Sequence, residues 1–157
     1  MDWTQFQIAH FATHAILSTT HPAFSGVVLS LVRSDGTPQK GVLWLDDIYN
    51  LTMPVDLVVL SGCRTAEGRD VPGEGLEGLS RAFLIAGASG VIGSLWSVED
   101  QRTSLLMEKF YRGLLARHMS VAAALRNAQR SLAHSQKTAA PYYWAGFSIQ
   151  GAPPRPR

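Results

Sequence analysis

Short apolar segments alternate along this chain with segments of helical periodicity, and this alternation restricts the fold more than any other feature. Residues 57–60 and 90–96 are near-continuous apolar runs, which are typical of strands buried on both faces of a sheet. Apolar residues then recur at helical spacing in residues 76–86 and again in residues 105–115. The pattern predicts an α/β fold in which helices flank a mostly parallel sheet.

The segments between these runs predict the remaining elements. A Ser-Asp-Gly turn at residues 34–36 lies between the apolar segments 26–32 and 41–45, which indicates a β-hairpin. Short apolar segments bounded by polar residues predict a first strand at residues 6–12 and a last strand at residues 143–149. Two residues are typical of helix boundaries. Gly87 is expected to end the helix at residues 76–86, and Ser120 is expected to be the N-cap of a later helix.

Three residues with reactive or charged side chains follow predicted strands. His14, Cys63 and Asp100 each come a few residues after the apolar run of a strand. The carboxyl ends of parallel strands meet at one edge of a sheet, and this edge is where α/β proteins place their ligand sites. We therefore expect the three side chains to lie along a common edge.

Cys63 is the single cysteine of the chain, and it lies in a polar, turn-forming segment between Gly62 and Arg64. A lone cysteine is often a small buried hydrophobic residue, and the residues alone leave that interpretation open. A strand end beside an arginine instead favours a stabilised thiolate. Such a thiolate can attack a carbonyl carbon when a histidine accepts its proton and N–H groups hold the oxyanion. His14 is the candidate base.

A second chemistry is open for the same segment. Cys63 and Arg69 have the Cys-x5-Arg spacing with which phosphatase loops cradle a phosphate group. Glu67 would place a carboxylate inside that anion site, and Asp70 stands where such loops carry serine or threonine. The spacing therefore favours a phosphatase less than it favours a thiol–histidine pair.

Neither a metal nor an organic cofactor is expected. His10 and His14 lie on a predicted strand and its exit, where four residues span about 13 Å, so the two rings are too far apart to share a metal. No third ligand follows them at a suitable spacing.

Charge and composition restrict the partners. The formal net charge of the 157 residues is +2 and no long basic run occurs, so we expect no nucleic-acid or membrane partner. A single cysteine fits a reducing compartment, and the first residues lack the pattern of a signal peptide. No apolar stretch is long enough to span a bilayer. These features predict a cytoplasmic location.

Five blocks of this sequence resemble the signatures of CHAT domains, which are caspase-like cysteine peptidases often joined to tetratricopeptide repeats in bacteria. The blocks run in order and cover nearly the whole chain: His10–His14, Val58–Thr65, Gly75–Ala88, Gly93–Asp100, and Phe110–Tyr111 with Tyr143–Phe147. The resemblance implies a three-layer caspase-like fold whose N-terminal part of the sheet is missing. It also implies one CHAT domain at residues 1–151, which can be the C-terminal portion of a longer domain, followed by a Pro/Arg tail at 152–157.

The same resemblance implies a catalytic pair. His14 corresponds to the family's base and Cys63 to its nucleophile. The oxyanion would be held by the N–H groups of Cys63 and of Ala15, which stands where family members usually carry glycine. The implied reaction is cleavage of a protein or peptide substrate, and the implied partner is a tetratricopeptide-type regulatory region in the same or another chain.

The resemblance also implies the substrate-binding residues. Ser61 would form the floor of the pocket for the residue before the cleaved bond, and the segment with Trp96 and Ser97 would pair with an extended substrate. Asp100 would receive a lysine or arginine side chain. An alternative for Asp100 remains, because Ser97-x-x-Asp100 is also the pattern of a helix capping box.

Three functions follow from these alternatives. The first is a cysteine endopeptidase that uses His14 and Cys63, with a preference for cleavage after a basic residue. The second is an inactive or weakly active interaction module of the same family. The third is a Cys-x5-Arg phosphatase.

Overall fold

The computed structural model describes residues 2–18, 21–62 and 74–154. Seven strands are described: β1 Ile8–Phe11, β2 Ala15–Ile16, β3 Gly26–Val28, β4 Val42–Trp44, β5 Leu57–Leu60, β6 Gly90–Ser94 and β7 Phe147–Gly151. The four α-helices are α1 Leu45–Tyr49, α2 Glu74–Ile85, α3 Asp100–Tyr111 and α4 Val121–Ala133. Short 3-10 turns and a π-helical turn at Arg112–Ala116 complete the described elements.

The strands form two sheets. The main sheet has four strands in the order β1-β5-β6-β7, in which β1, β5 and β6 are parallel and β7 is antiparallel to β6. The smaller sheet is antiparallel, with the order β2-β3-β4. The mostly parallel sheet and its flanking helices confirm the predicted α/β fold. The absence of strands before β1, and the domain boundaries, stay predictions.

Each face of the main sheet carries its own hydrophobic core. Along β5, Val58 and Leu60 pack into the core that contains Phe83 of α2. Leu57 and Val59 pack into the opposite core with Phe110 of α3, and α4 contributes to this core as well. Successive side chains of a strand point to opposite faces, so an unbroken apolar run is what a strand covered on both sides requires.

The helix boundaries follow their sequence signals. Gly87 has a φ of +112°, in the left-handed region, and it follows shortly after the end of α2 at Ile85. The Ser120 hydroxyl accepts a hydrogen bond of 3.3 Å from the Ala123 N–H and so caps α4. Both predictions are confirmed. No helix among the elements given above has the length and apolar character needed to cross a membrane.

Several strand boundaries differ from the sequence prediction. The first strand spans Ile8–Phe11 instead of residues 6–12, and the hairpin strands are shorter than expected. β6 ends at Ser94, two residues early, because the Ser94 hydroxyl donates to the Trp96 carbonyl and bends the chain. Pro141–Tyr143 forms a 3-10 turn, so the last strand begins only at Phe147.

Candidate active site

The exits of β1 and β5 lie side by side at one edge of the main sheet. The strand pairing continues one residue past β5, where the Ser61 N–H donates to the Phe11 carbonyl at 3.2 Å. Gly62 then packs directly on the backbone of Thr13, and a Cβ at this position would collide with the Thr13 carbonyl. Only glycine lets the two exits approach so closely.

A pocket of about 140 Å³, which we call the His14 pocket, opens at this edge. It brings together five residues predicted from the sequence: His14, Ser61, Trp96, Ser97 and Asp100. Gly62 also lines it, one residue before Cys63. Cys63 itself, with its predicted roles as nucleophile and oxyanion donor, lies outside the described residues, as does the rest of the proposed Cys-x5-Arg loop through Arg69.

The backbone of His14 is held in place while its side chain is exposed. The His14 carbonyl accepts a hydrogen bond of 2.8 Å from the Val28 N–H. Its neighbour Thr13 donates its hydroxyl to the Val28 carbonyl at 2.7 Å. The imidazole has no hydrogen-bond partner among residues 2–18, 21–62 and 74–154, so both ring nitrogens are available for other groups.

Ala15 lies at the start of β2, and its N–H is free of the β-ladder. His14 and Val28 are a hydrogen-bonded pair, and such pairs alternate along an antiparallel ladder with pairs that are not bonded. Ala15 and Val27 are therefore the non-bonded pair, and the Ala15 N–H points away from β3. Its φ is not in the left-handed region, so alanine is unstrained where family members usually carry glycine.

Asp100 is the first residue of α3, and its carboxylate is exposed. The Ser97–Asp100 capping box is wrong, because the helix begins at Asp100 and its N-cap residue is Glu99, which makes no side-chain cap bond. Within the described parts of the chain, the Asp100 carboxylate has neither an ion-pair nor a hydrogen-bond partner. A negative charge in the first turn is also favourable to the helix dipole.

Several backbone groups of the segment after β6 already form hydrogen bonds within the protein. The Leu95 N–H donates to the Gly146 carbonyl, and the Trp96 carbonyl accepts from the Ser94 hydroxyl. Tyr142 donates its hydroxyl to the Ser97 carbonyl at 2.6 Å. The N–H groups of Trp96 and Ser97 donate to no other described residue, so these are the groups that remain for a substrate strand.

A second and larger pocket of about 460 Å³, which we call the His10 pocket, shares Ser61, Gly62 and Asp100 with the first. The His10 side chain is partly exposed at the pocket wall and is hydrogen-bonded, with 2.7 Å between its Nε2 and the Ser61 Oγ. Partial loss of water around the ring lowers the pKa of His10.

The other wall of the His10 pocket comes from α3, through Glu108 and Tyr111. The Tyr111 ring packs against the imidazole of His10 at a centroid distance of 5.5 Å. Burial raises the pKa of Tyr111 to about 12, so the phenol stays neutral. Sequence reasoning missed these residues. The period of two along β1 was the available signal, since it places His10 on the face that α3 covers.

Among the described residues, the charged groups that line the pockets are carboxylates. Asp100 lines both pockets, Glu108 lines the His10 pocket, and Glu99 lines an adjoining pocket of about 410 Å³. Glu99 and Glu108 already pair with arginines of α3 and the following turn. Within the same described residues, Asp100 is the lining carboxylate that keeps an uncompensated negative charge. The described part of the lining therefore favours cationic ligand groups.

The described residues include no group of three or more His, Cys, Asp or Glu side chains arranged to hold a metal ion.

Comparison with known sequences agrees with the motifs. The sequence profile of the CHAT domain matches residues 1–152. Tetratricopeptide repeat protein 28 of Mus musculus is 38% identical over 106 residues, which cover 68% of this chain and 4% of that protein. The protein of the same name from Homo sapiens is 31% identical over an alignment 180 residues long, which covers 95% of this chain and 7% of that protein. The chain thus spans a small part of the length of these mammalian relatives.

Proposed function

This chain belongs to the CHAT domain family, a caspase-like family, and we propose that it is a cysteine endopeptidase whose catalytic dyad is His14 and Cys63. The observation that carries the proposal is that His14 and Gly62 line one pocket at the carboxyl edge of the parallel strands. Cys63 is the next residue after Gly62 in the sequence. Gly62 itself packs on the backbone of Thr13, the residue before His14.

The imidazole of His14, which has no hydrogen-bond partner among the described residues, supports its role as a base. In the proposed reaction, His14 accepts the thiol proton of Cys63, and the sulfur attacks the carbonyl carbon of the peptide. The imidazolium then donates that proton to the leaving amine, which leaves a thioester on Cys63. A water molecule gives a proton to His14 and attacks the thioester, which releases the carboxylic acid and restores the thiol.

The proposed oxyanion hole consists of the N–H groups of Ala15 and Cys63. The Ala15 N–H suits this role because the β2–β3 ladder leaves it without a partner and β2 lies at the edge of the small sheet. A fixed N–H stabilises the developing negative charge in the tetrahedral intermediate without reorganising.

The proposed specificity is for a basic residue before the cleaved bond. Asp100 supports this preference, because its uncompensated carboxylate lines the His14 pocket. A guanidinium or ammonium group gains both charge and hydrogen bonds from such a carboxylate.

The test is cleavage of fluorogenic peptides that carry arginine before the scissile bond. We expect turnover by the native chain and a loss of at least about a thousandfold in Cys63→Ala and in His14→Ala. The exposed histidine at the end of α4 gives a matched control, His134→Ala, which should retain full activity. Equal turnover by the native chain and Cys63→Ala would contradict the proposal.

A second candidate is an interaction module of the same family that does not cleave. The names of the mammalian relatives favour it, since both are called tetratricopeptide repeat proteins. By analogy, a tetratricopeptide-type region in the same or another chain would be the partner. Iodoacetamide separates the candidates: a catalytic thiolate is alkylated well below pH 8, whereas the thiol of a binding module should react only near its ordinary pKa of about 8.5.

A further inference from the structure

The two pockets share a wall, and this wall determines what lies next to the reacting bond. Ser61, Gly62 and Asp100 line both the His14 pocket and the His10 pocket. A peptide bond held against Gly62 and His14 therefore has the larger pocket directly beside it. At about 460 Å³, the His10 pocket is within the size range of pockets that enclose a ligand group.

We propose that His10 is a specificity-determining residue of the proposed peptidase, and that it acts through Ser61 to select an arginine or lysine side chain in the His10 pocket. This inference rests on the proposed peptidase function and adds a residue to it. His10 is a positioning residue, since it acts on the substrate through the Ser61 hydroxyl.

The hydrogen bond between His10 and Ser61 sets the polarity of the pocket. When His10 is neutral and its Nε2 carries no proton, the Ser61 hydroxyl must donate across the 2.7 Å between them. The hydroxyl proton is then used, and the Ser61 oxygen can only accept from a ligand. A guanidinium or ammonium group carries donors and no acceptor, so it matches this state.

The carboxylates of α3 reinforce the same selection. Asp100 lines the pocket with a negative charge that has no partner in the described chain, and Glu108 lines it as the partner of Arg112. Together with the Ser61 oxygen, they present acceptors to the bound side chain. A neutral side chain that carries a carbonyl group would place its carbonyl oxygen, an acceptor, against these acceptor oxygens.

Protonation of His10 reverses the arrangement. The imidazolium must donate to the Ser61 oxygen, which turns the hydroxyl proton toward the pocket and adds a positive charge to the wall. Among the residues that the structure describes, the titratable and charged groups around His10 come from α3 and the turn after it: Asp100, Glu108 with Arg112, and Tyr111. Tyr111 stays neutral because its pKa is about 12, and the lowered pKa of His10 favours the neutral ring at neutral pH. In the proposed state, the proton of the neutral ring is on Nδ1.

The experiment measures binding, so that it does not depend on turnover. The Cys63→Ala chain is titrated by calorimetry with two acetylated tetrapeptide acids that end in arginine or in citrulline, at pH 5.5 and at pH 8. Citrulline has the shape of arginine but is neutral and carries a carbonyl oxygen. We expect the arginine peptide to bind at least about tenfold more tightly than the citrulline peptide at pH 8, and this ratio to be smaller at pH 5.5 than at pH 8.

Two variants test the role of the hydrogen bond. His10→Phe keeps a ring against Tyr111 but removes the acceptor, and Ser61→Ala removes the hydroxyl. Each should lower the ratio at pH 8 and make it independent of pH, while the charge of Asp100 preserves part of the preference for arginine. The matched control His134→Phe should retain the pH dependence of the native ratio. If His10→Phe does not fold, as judged by circular dichroism, the Ser61→Ala result decides.

The outcomes separate this inference from the proposed function. Selective binding that depends on His10, without cleavage by the Cys63-containing chain, would support the pocket assignment and contradict the peptidase. Equal binding of both peptides at pH 8, no binding of either, or the same ratio at both pH values would overturn the assignment. Cleavage after residues of any charge, with no His10 effect, would overturn it while leaving the peptidase intact.

Discussion

The two pockets on either side of Ser61 and Gly62 use their histidines in opposite ways. His14 has its backbone fixed by hydrogen bonds to β3 and its imidazole unbonded within the described residues. His10 has its imidazole engaged, bonded to Ser61 and packed on Tyr111. A base in a proton transfer needs free nitrogens at a fixed position, whereas a selector of hydrogen-bond polarity needs a fixed partner. The difference teaches that sequence proximity to a motif does not assign a histidine's role; its partners do.

The largest expected effect separates the two histidines by activity. His14→Ala should lower kcat/KM by at least about a thousandfold toward every substrate, because it removes the proposed base. His10→Phe should lower kcat/KM by only about tenfold, and only toward substrates with a basic residue before the cleaved bond. Steady-state kinetics with arginine and leucine peptides measure both. A uniform loss in His10→Phe would mean that the two histidines do not divide their roles in this way.

The wall between the pockets should tolerate no side chain at Gly62. In Gly62→Ala the new methyl group meets the Thr13 backbone, so we expect destabilisation of roughly 2–3 kcal/mol, and loss of activity as His14 and the wall separate. Gly78→Ala is the matched control. Nothing lies within 4 Å of a Cβ at that helical position, and alanine should stabilise α2 by about 0.5–1 kcal/mol. Urea denaturation measures both, and effects of equal sign would contradict the packing.

Neutralising a carboxylate of the pockets should have a smaller effect on activity, and the effect should be larger at Asp100 than at Glu108. Asp100→Asn should reduce kcat/KM toward arginine peptides by about tenfold to a hundredfold, because Asp100 has no competing counter-ion in the described chain. Glu108→Gln should reduce it by no more than a few fold, since Arg112 already neutralises that charge. Leucine peptides serve as the reference substrates for both variants. A larger effect at Glu108 than at Asp100 would reverse the assignment.

The smallest expected effect is that of His10 on the pH dependence of stability. The pKa of His10 is below its ordinary value of 6.5 in the folded protein, so the unfolded chain binds this proton more tightly. The contribution of His10 to stability is therefore fully present above pH 6.5 and is lost as the pH falls through the lower folded-state value. His10→Phe should lack this part of the loss, and thermal unfolding at pH 5 and pH 7.5 measures it. An identical fall in Tm for the native and variant chains would show that His10 does not contribute.

The sequence predicted the edge of the sheet better than the pocket beside it. The apolar run at Leu57–Leu60 identified a strand covered on both faces, and the rule for parallel strand ends placed His14 and Asp100 at one edge. β2 and its pairing with β3 were not predicted, since two residues carry no periodicity and the strand exists only through tertiary contacts. The exposure of His10 was missed for a similar reason, because it depends on how far α3 covers β1.

Boundaries were also set by tertiary bonds. The Ser94 hydroxyl ends β6 by bonding to the Trp96 carbonyl, and this bend delays the start of α3 to Asp100. The capping box predicted at Ser97 fails as a result, although its sequence pattern is present. Local propensity gives the elements, whereas single side-chain bonds decide where each one stops.

The most direct test of the account is covalent labelling by a peptidyl acyloxymethyl ketone that carries arginine at the reacting end. The reagent modifies a thiol only where a peptide-binding pocket, a base and the sulfur meet. The account predicts an adduct on Cys63, identified by mass spectrometry, that forms in the native chain, slows in Asp100→Asn and is absent in His14→Ala. An unlabelled Cys63 in the native chain, or equal labelling in His14→Ala, would contradict the dyad.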